Sequence, residues 1–281
     1  MSQLRILVEN TKNRSSHNRT LVMSISEQVK KDYDNSATTY NDYSYLPSGQ
    51  LESQLIKAAL GDCTGLTVLD IGGGTGLHAR EAIDLGAATV DIVDITPAML
   101  EIGRDFERSL GRENAIRFFE ADVSKPLSHL PLHESGYDVV MANWVFSFAD
   151  TMEVLEGMFR NIAHYLKPGG LFVGIRDADP WSPALENSKY GGTCRWIKNI
   201  PGGVRYLCVI NCDPPIEFEG ASLEIIYSGS TEMYERFGLT NVAVVPYEKA
   251  EVVQRDPEFW QLFLENPNLA VVRATKKLGF V

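Results

Sequence analysis

The sequence predicts an α/β fold in which helices cover both faces of a mostly parallel sheet. Two observations lead to this prediction. Short apolar runs, typical of buried strands, alternate with helical segments between residues 67 and 175. The first of these runs continues into the glycine-rich stretch VLDIGGGTG, at Val68–Gly76. Because parallel strands are joined by right-handed crossovers, we expect their carboxyl ends at one edge of the sheet.

The predicted elements of this half follow one another without an internal repeat. Pro97 suits the first turn of a helix, where its missing N–H is not needed. The stretch KPGG at Lys167–Gly170 combines a cation, a helix breaker and residues free to turn, which predicts a helix end. The predicted strands are Thr67–Ile71, Thr89–Val93, Ile116–Phe119, Tyr137–Ala142 and Leu171–Ile175, and the predicted helices are Gln50–Leu60, His78–Leu85, a segment from Pro97 to about Gly111, and Thr151–Leu166.

The pattern changes after Asp179. An irregular stretch, Pro180–Gly220, holds a β-like run at Val204–Asn211, and a second run, Ser222–Tyr227, lies just beyond it. The irregular stretch is interpreted as an insertion over the functional edge of the sheet. Helical order returns near Thr231–Phe237, and two closing strands bring the sheet to seven. The predicted divisions are a disordered extension at 1–22, a lid at 23–48, a ligand-binding core at 49–178, the insertion at 179–221, and the closing part of the sheet at 222–281, with strands at Asn241–Pro246 and Ala270–Ala274.

Composition and charge argue against several classes of function. Lys and Arg number 26 against 37 Asp and Glu, a formal charge of −11, and there is no basic run, so a nucleic-acid partner is not expected. No apolar stretch reaches the ~20 residues that span a bilayer. The four cysteines form no CxxC pair and have no nearby histidine, which predicts no metal site and a reduced, cytoplasmic location. They are Cys63, Cys194, Cys208 and Cys212. The oligomeric state stays open.

The glycine-rich loop predicts a ligand whose atoms approach the backbone closely at a helix N-terminus. Gly74-x-Gly76-x-x-Ala79 matches a relaxed dinucleotide fingerprint, so a nicotinamide-dependent reductase is one hypothesis. Asp70 disfavours it, because an acid at the end of the first strand would repel a pyrophosphate. The same acid suits S-adenosylmethionine, which carries an ammonium and a sulfonium and no phosphate.

Two further acids follow the next two strands. Asp94 is placed to accept both ribose hydroxyls, and Asp122 to accept from the adenine amine, with backbone contacts from Val123. Asp91 competes with Asp94 for the ribose contact, but its position within a strand makes it the poorer candidate. One acid after each of three consecutive strands outlines an adenosyl pocket.

These motifs resemble those of class I S-adenosylmethionine-dependent methyltransferases: VLDIGGGTG, VDITPAML, EADV, YDVVMANWVFSF and LKPGGLF occur in the family's order from Val68 to Phe172. The resemblance implies a Rossmann-like seven-stranded sheet with an N-terminal helical lid and a small insertion after strand five. It also implies cofactor contacts from Asp70, Gly72, Gly74, Asp94, Ile95, Met99, Asp122, Val123 and Asn143.

A narrower similarity is to the toxoflavin-synthase-like small-molecule methyltransferases. The C-terminal stretches FEGASLEIIYSGSTEMYERFGLTNVAVVPYE and DPEFWQLFLENPNLAVVRATK carry it, together with YDNSATTYNDY near the N-terminus. It implies that Tyr33 and Tyr40 belong to a helix closing over the cofactor. The basic residue that usually follows this motif is missing from YSYLPSGQLE.

Methyl transfer to a small-molecule acceptor is therefore the predicted activity. The methyl donor is already activated, so the protein mainly aligns the nucleophile and excludes water. No general base is identified, since His78 is interpreted as a helix-packing residue, and a ring nitrogen or thiol acceptor is ranked above oxygen. O-methylation and a non-catalytic cofactor-binding regulator remain alternatives. The candidate acceptor contacts are Trp144, Phe148, Arg176, Trp181 and Tyr190.

Overall fold

The computed structural model describes residue 28, residues 30–32 and residues 40–279 of the 281-residue chain. The strands are β1 (Thr67–Ile71), β2 (Thr89–Asp94), β3 (Ile116–Glu120), β4 (Tyr137–Asn143), β5 (Leu166–Asp177), β6 (Gly192–Ile200), β7 (Gly203–Ile210), β8 (Ile216–Leu223), β9 (Leu239–Val244) and β10 (Leu269–Lys276). The helices are α1 (Pro47–Leu60), α2 (Leu77–Asp84), α3 (Pro97–Ser109), α4 (Met152–Tyr165), α5 (Glu224–Tyr227), α6 (Glu232–Arg236), α7 (Glu251–Arg255) and α8 (Pro257–Glu265). No helix in these ranges is long and apolar enough to cross a membrane.

Seven strands form the main sheet, in the order β3-β2-β1-β4-β5-β10-β9. The first five run parallel, whereas β10 pairs antiparallel with both β5 and β9. This arrangement confirms the predicted mostly parallel sheet of seven strands. The strand order reverses at the centre of the sheet: β1 to β3 extend it to one side, and β4 and β5 extend it to the other. A crevice opens beyond the carboxyl ends of β1 and β4, where ligands bind in folds of this type.

Alternating side chains of the central strands divide the core into two layers. Val68 packs in one layer with the apolar faces of α1 and α2, and Leu69 packs in the other with α4. Both side chains are fully buried. The two layers hold the sheet between helices, so the position of each strand end is fixed by packing on both faces.

Local signals explain where the flanking helices begin and end. Thr151 caps α4 by accepting a hydrogen bond from the backbone nitrogen of Val154 (3.3 Å), and Pro97 opens α3. Helix α4 ends at Tyr165, one residue before the predicted end at Leu166. The strand prediction Leu171–Ile175 was too short, because β5 already pairs with β4 at Leu166 and the KPGG stretch forms an irregularity within that strand.

The insertion folds as a separate three-stranded antiparallel sheet, in the order β6-β7-β8. The predicted run Val204–Asn211 corresponds to β7. The run Ser222–Tyr227 overlaps β8 only at Ser222 and Leu223, and the strand prediction was wrong from Glu224 onward, where the backbone nitrogen of Ser228 donates to the Glu224 oxygen (2.8 Å) and closes a helical turn.

A disulfide joins Cys194 on β6 to Cys208 on β7, at directly paired positions. Cys63 and Cys212 are buried free thiols. The expectation of four reduced cysteines is therefore wrong for this pair, since their proximity depends on strand register and not on sequence spacing.

Candidate functional site

Three adjoining cavities lie at the carboxyl edge of the main sheet. The first, here called the loop cleft, measures about 690 Å³ beside the glycine-rich loop. The second, the inner cavity, measures about 420 Å³ at the end of β1. The third, the insertion cavity, measures about 830 Å³ and is bounded on one side by β6, β7 and β8. All three volumes include space open to solvent. Trp144 lines all three, so the cavities meet at this residue.

The glycine-rich loop forms the floor of the loop cleft because it lacks side chains there. Gly72 and Gly74 adopt left-handed φ angles of 72° and 53°, which favour glycine. A Cβ atom on Gly72 would lie 2.9 Å from Cγ2 of Val145, so this position also has no room for a side chain. A ligand can therefore approach the backbone between β1 and α2.

Two of the predicted acids line the loop cleft and are held by backbone groups. Asp94 accepts hydrogen bonds from the backbone nitrogens of Gly74 (2.9 Å) and Thr96 (2.8 Å), and burial raises its pKa. Asp122 accepts from the backbone nitrogen of Ser124 (2.9 Å). A carboxylate has about four acceptor positions, so each acid retains capacity for a ligand. Ile95, Met99, Val123 and Asn143 line the same cleft.

Asp70 and Asn143 are buried polar side chains that lack partners. All four of their side-chain polar atoms are without a hydrogen bond to any other described residue. Both line the inner cavity. Burial raises the pKa of Asp70 to about 7. Because an unsatisfied buried polar group costs about 1–3 kcal/mol, the pair fits a bound group that donates hydrogen bonds and carries positive charge.

Asp91 has a structural role. Its buried carboxylate accepts from Nε of Arg117 (2.6 Å) and from the hydroxyl of Tyr137. It lines none of the three cavities. Asp94 lines the loop cleft and Asp91 does not, and the ligand contact of Asp94 stays a prediction.

Glu52 is a buried acid that the sequence interpretation missed. It lies on α1 between Leu51 and Leu55 and is 1% exposed. Oε2 accepts from the indole nitrogen of Trp144 (2.9 Å), and Oε1 accepts from the hydroxyl of Tyr43. The available signal was periodicity, because an acid four residues before Ile56 falls on the apolar face of an amphipathic helix.

His78 lies on α2 beside this cluster and lines the inner cavity. Its Nδ1 is 2.9 Å from Oε2 of Glu81. Burial disfavours charge on the imidazole, but the hydrogen bond to Glu81 together with the charges of Glu81, Asp70 and Glu52 raises the pKa of His78. No Lys or Arg occurs among the described residues that line the three cavities, so His78 is the basic side chain available there.

The insertion cavity is lined mainly by apolar and aromatic side chains, with one buried acid at its wall. The rings that line it are those of Tyr43, Trp144, Phe148, Tyr190, Tyr206 and Phe218. The carboxylate of Asp177 accepts from the hydroxyls of Ser147 (2.8 Å) and Tyr206 (3.0 Å), and burial raises its pKa. Such a cavity suits a flat, partly apolar molecule with a polar edge.

Three of the five predicted acceptor contacts line this cavity, and two do not. Trp144, Phe148 and Tyr190 line it. Arg176 does not line the cavity, because adjacent residues of a strand face opposite sides and Asp177 faces the cavity. Nη1 of Arg176 donates to the backbone oxygen of Asp177 (2.7 Å). Trp181 is 51% exposed and packs edge-on against Tyr227.

The predicted lid residues fall at the margin of the described chain. Tyr33 lies outside the described residues, and Tyr40 begins a 3₁₀ helix, Tyr40–Tyr45, with its side chain outside the description. Their cofactor contacts therefore stay predictions. No cluster of His, Cys, Asp or Glu suited to a metal ion occurs among the residues with described positions.

Comparisons with known proteins agree with this architecture. Residues 68–170 match the family described as "Methyltransferase domain". A curated relative, the ubiquinone/menaquinone biosynthesis C-methyltransferase of Idiomarina loihiensis, is 31% identical over 170 residues. The match covers 59% of this chain and 63% of that protein, so the chain spans somewhat under two thirds of the relative's length.

Two solved structures share the fold. One is an S-adenosylmethionine-dependent methyltransferase from Mesorhizobium loti, with a TM-score of 0.54, 21% identity, and coverage of 82% of this chain and 100% of that one. The other is the 1,6-didemethyltoxoflavin-N1-methyltransferase of Burkholderia thailandensis, with a TM-score of 0.51, 16% identity, and coverage of 88% and 87%. The domain match and the curated relative confirm the motif resemblance to methyltransferases, and the shared fold confirms the predicted fold class.

Proposed function

We propose that this chain transfers a methyl group from S-adenosylmethionine to a small-molecule acceptor, at a ring nitrogen or a thiol. One observation carries the proposal: the inner cavity, with the unpartnered polar groups of Asp70 and Asn143, meets a largely apolar cavity at Trp144. A cationic donor on one side and a flat acceptor on the other would meet at that residue.

The residues around the loop cleft and inner cavity fit S-adenosylmethionine. Asp94 would accept the ribose hydroxyls, Asp122 the adenine amine, and Asp70 with Asn143 the methionine ammonium. His78 would face the methionine carboxylate, in place of the basic residue missing after the N-terminal motif. When bound, the cofactor supplies a methyl group on a sulfonium leaving group.

A dinucleotide fits the same residues less well. Its pyrophosphate would lie near Asp70, and no Lys or Arg among the described cavity-lining residues offsets that negative charge. A nicotinamide-dependent reductase is therefore the weaker hypothesis.

The acceptor side supports a compact, partly flat metabolite. Aromatic rings around the insertion cavity would sandwich such a molecule, align it with the methyl group and exclude water. The name of the Burkholderia protein specifies a nitrogen acceptor, whereas that of the Idiomarina relative specifies carbon. An acceptor panel should therefore include an electron-rich ring carbon and an oxygen nucleophile beside nitrogen and sulfur.

Two measurements test the proposal. Isothermal titration should detect S-adenosylmethionine binding and no NADH binding. Mass spectrometry of reactions with the acceptor panel should then detect products in which a methyl group replaces a proton. Binding of NADH in place of S-adenosylmethionine would overturn the cofactor assignment, and tight S-adenosylmethionine binding without turnover of any acceptor would favour the regulator hypothesis.

A further inference from the structure

We propose that Glu52 accepts the proton that the acceptor nucleophile loses during methyl transfer. The inference rests on the proposed function and names the residue that would serve as its general base. Three features of Glu52 support the proposal: its position between two cavities, the hydrogen bonds that fix its carboxylate, and its burial among other charged groups.

Glu52 lies where the donor and the acceptor would meet. It lines both the inner cavity and the insertion cavity, as do Tyr43 and Trp144. The inner cavity adjoins the glycine-rich loop, and the insertion cavity holds the proposed acceptor. A nucleophile that reaches the methyl group from the insertion cavity therefore passes the Glu52 carboxylate.

The other titratable candidates lack this position. His78 lines the inner cavity but not the insertion cavity, and it is engaged by Glu81. Asp177 lines the insertion cavity but neither of the other two, and the hydroxyls of Ser147 and Tyr206 both donate to its Oδ2. Tyr43 also lines both cavities, but its hydroxyl already donates a hydrogen bond to Glu52.

The hydrogen bonds to Glu52 orient its carboxylate. Tyr43 donates to Oε1 and Trp144 donates to Oε2, so each oxygen has one donor and retains one further lone pair. A carboxylate fixed on both oxygens loses little further freedom when it takes a proton. This preorganisation favours proton transfer from a nucleophile within hydrogen-bond reach.

The surroundings of Glu52 allow it to change protonation near neutral pH. Burial raises its pKa to about 7, although the hydrogen bonds from Tyr43 and Trp144 and the charge of His78 lower it. Glu81 faces it from α2 and raises the pKa. Asp70 lines the inner cavity and Asp177 the far wall of the insertion cavity, so both add negative charge nearby when ionised.

The step balances without another reactant. A bond forms between the nucleophile and the methyl carbon while the carbon–sulfur bond of the sulfonium breaks, and its electron pair stays on sulfur. The proton of the nucleophile passes to the Glu52 carboxylate and later to water. The products are the methylated acceptor and S-adenosylhomocysteine.

The activity test compares Glu52→Gln with the wild type on two kinds of acceptor. One acceptor loses a proton on methylation, as an N–H azole or a thiol does, and the other is a pyridine-type nitrogen that carries none. We expect Glu52→Gln to lower kcat at least ~100-fold for the first kind and less than threefold for the second, because general-base catalysis contributes about 10²–10⁴-fold. The dissociation constant of S-adenosylmethionine should stay within threefold, and the exposed variant Glu153→Gln should match the wild type in both.

If Glu52→Gln lowers kcat equally for both kinds of acceptor, the proton-transfer role is overturned. It is also overturned if kcat falls for neither. A tenfold weaker affinity for S-adenosylmethionine would instead assign Glu52 to the cofactor ammonium. If the wild type methylates no acceptor although it binds the cofactor, the proposed function fails and this inference falls with it.

A second measurement uses the free protein and does not depend on turnover. Because the Trp144 indole donates to Glu52, ionisation of Glu52 should change tryptophan fluorescence with a midpoint near pH 7. The transition should vanish in Glu52→Gln, and Trp144→Phe should remove it as well. In the activity profile, Trp144→Phe should move the acid limb to higher pH, since it removes a hydrogen bond that lowers the pKa of Glu52. A fluorescence transition that persists in Glu52→Gln would contradict the assignment.

Discussion

Asp94 accepts a hydrogen bond from the backbone nitrogen of Gly74, twenty residues earlier in the chain, at 2.9 Å. The contact ties the glycine-rich loop to the end of β2. Asp94 also lines the loop cleft, so one carboxylate both shapes the loop and faces the ligand site. A substitution of Asp94 therefore acts on both the loop and the ligand contact.

Replacing Asp94 with alanine should weaken S-adenosylmethionine binding at least tenfold while leaving the fold intact. The carboxylate would accept two charge-assisted hydrogen bonds from the ribose, each worth about 1.5–3 kcal/mol. Isothermal titration measures the change, and the exposed variant Glu101→Ala on α3 is the control. An unchanged dissociation constant in folded Asp94→Ala would remove this residue from the site.

Asp70 should make the free protein less stable as pH rises. Its pKa is raised from 3.8 to about 7 by burial, so the folded chain binds more protons than the unfolded chain between these values. The stability contribution of protonated Asp70 is therefore present below about pH 4 and is lost as pH rises to about 7. Glu52, raised to about 7, adds to the same trend.

Asp70→Asn consequently should stabilise the free protein at pH 8 by at least about 1 kcal/mol, with the difference vanishing near pH 4. The same variant should bind S-adenosylmethionine more weakly, because it removes the charge that faces the ammonium. Denaturant titrations at the two pH values measure stability. A variant that is less stable than the wild type at pH 8 would show that Asp70 has a partner in the folded state.

The sequence was sufficient to predict the sheet and the acids at its edge. Parallel topology requires that the residues after β1, β2 and β3 meet at one edge, so Asp70, Asp94 and Asp122 could be grouped from their positions alone. The direction of a single side chain at a strand end was harder to predict. Arg176 and Asp177 differ by one position, and alternation gives the cavity to the acid.

Two features depend on contacts that no local motif encodes. Glu52 becomes a cavity residue only because α1 packs beside the segment that follows β4, which brings Trp144 to its carboxylate. Cys194 and Cys208 meet only through the register of β6 and β7. Sequence patterns predict elements well, but they do not report which surfaces of distant elements meet.

Cofactor binding should require the N-terminal segment from residue 23 onward, whereas residues 1–22 should be dispensable. A chain beginning at Met23 should keep its melting temperature and its affinity for S-adenosylmethionine, because the first 22 residues lack a periodic apolar face. A chain beginning at Asn41 should lose the affinity, since it lacks Tyr33 and Tyr40. It also lacks Lys30, whose ammonium contacts Glu120 (2.8 Å) at the end of β3. Full affinity in the shorter chain would overturn the lid assignment.

The purified, unreduced protein should contain two titratable thiols after denaturation, those of Cys63 and Cys212. The Cys194–Cys208 bridge closes a short loop within a hairpin already held by strand pairing. Cys194→Ser combined with Cys208→Ser should therefore cost less than the ~3 kcal/mol expected for a loop of this length in an otherwise unconstrained chain. Four thiols in the unreduced protein would show that the bridge does not form.

Tyr206 should contribute to acceptor binding and not to cofactor binding. Its ring lines the insertion cavity and its hydroxyl donates to Asp177, whereas it lines neither the loop cleft nor the inner cavity. Tyr206→Phe keeps the ring but frees one acceptor position on a buried carboxylate, which changes the polar edge that the acceptor meets. We expect KM for the acceptor to rise about twofold to twelvefold, the range of a net hydrogen-bond contribution of about 0.5–1.5 kcal/mol. The dissociation constant of S-adenosylmethionine should be unchanged, and Tyr45→Phe, at a tyrosine that is 78% exposed, is the matched control. If Tyr206→Phe weakens the cofactor and leaves the acceptor KM unchanged, then the insertion cavity is not where the acceptor binds.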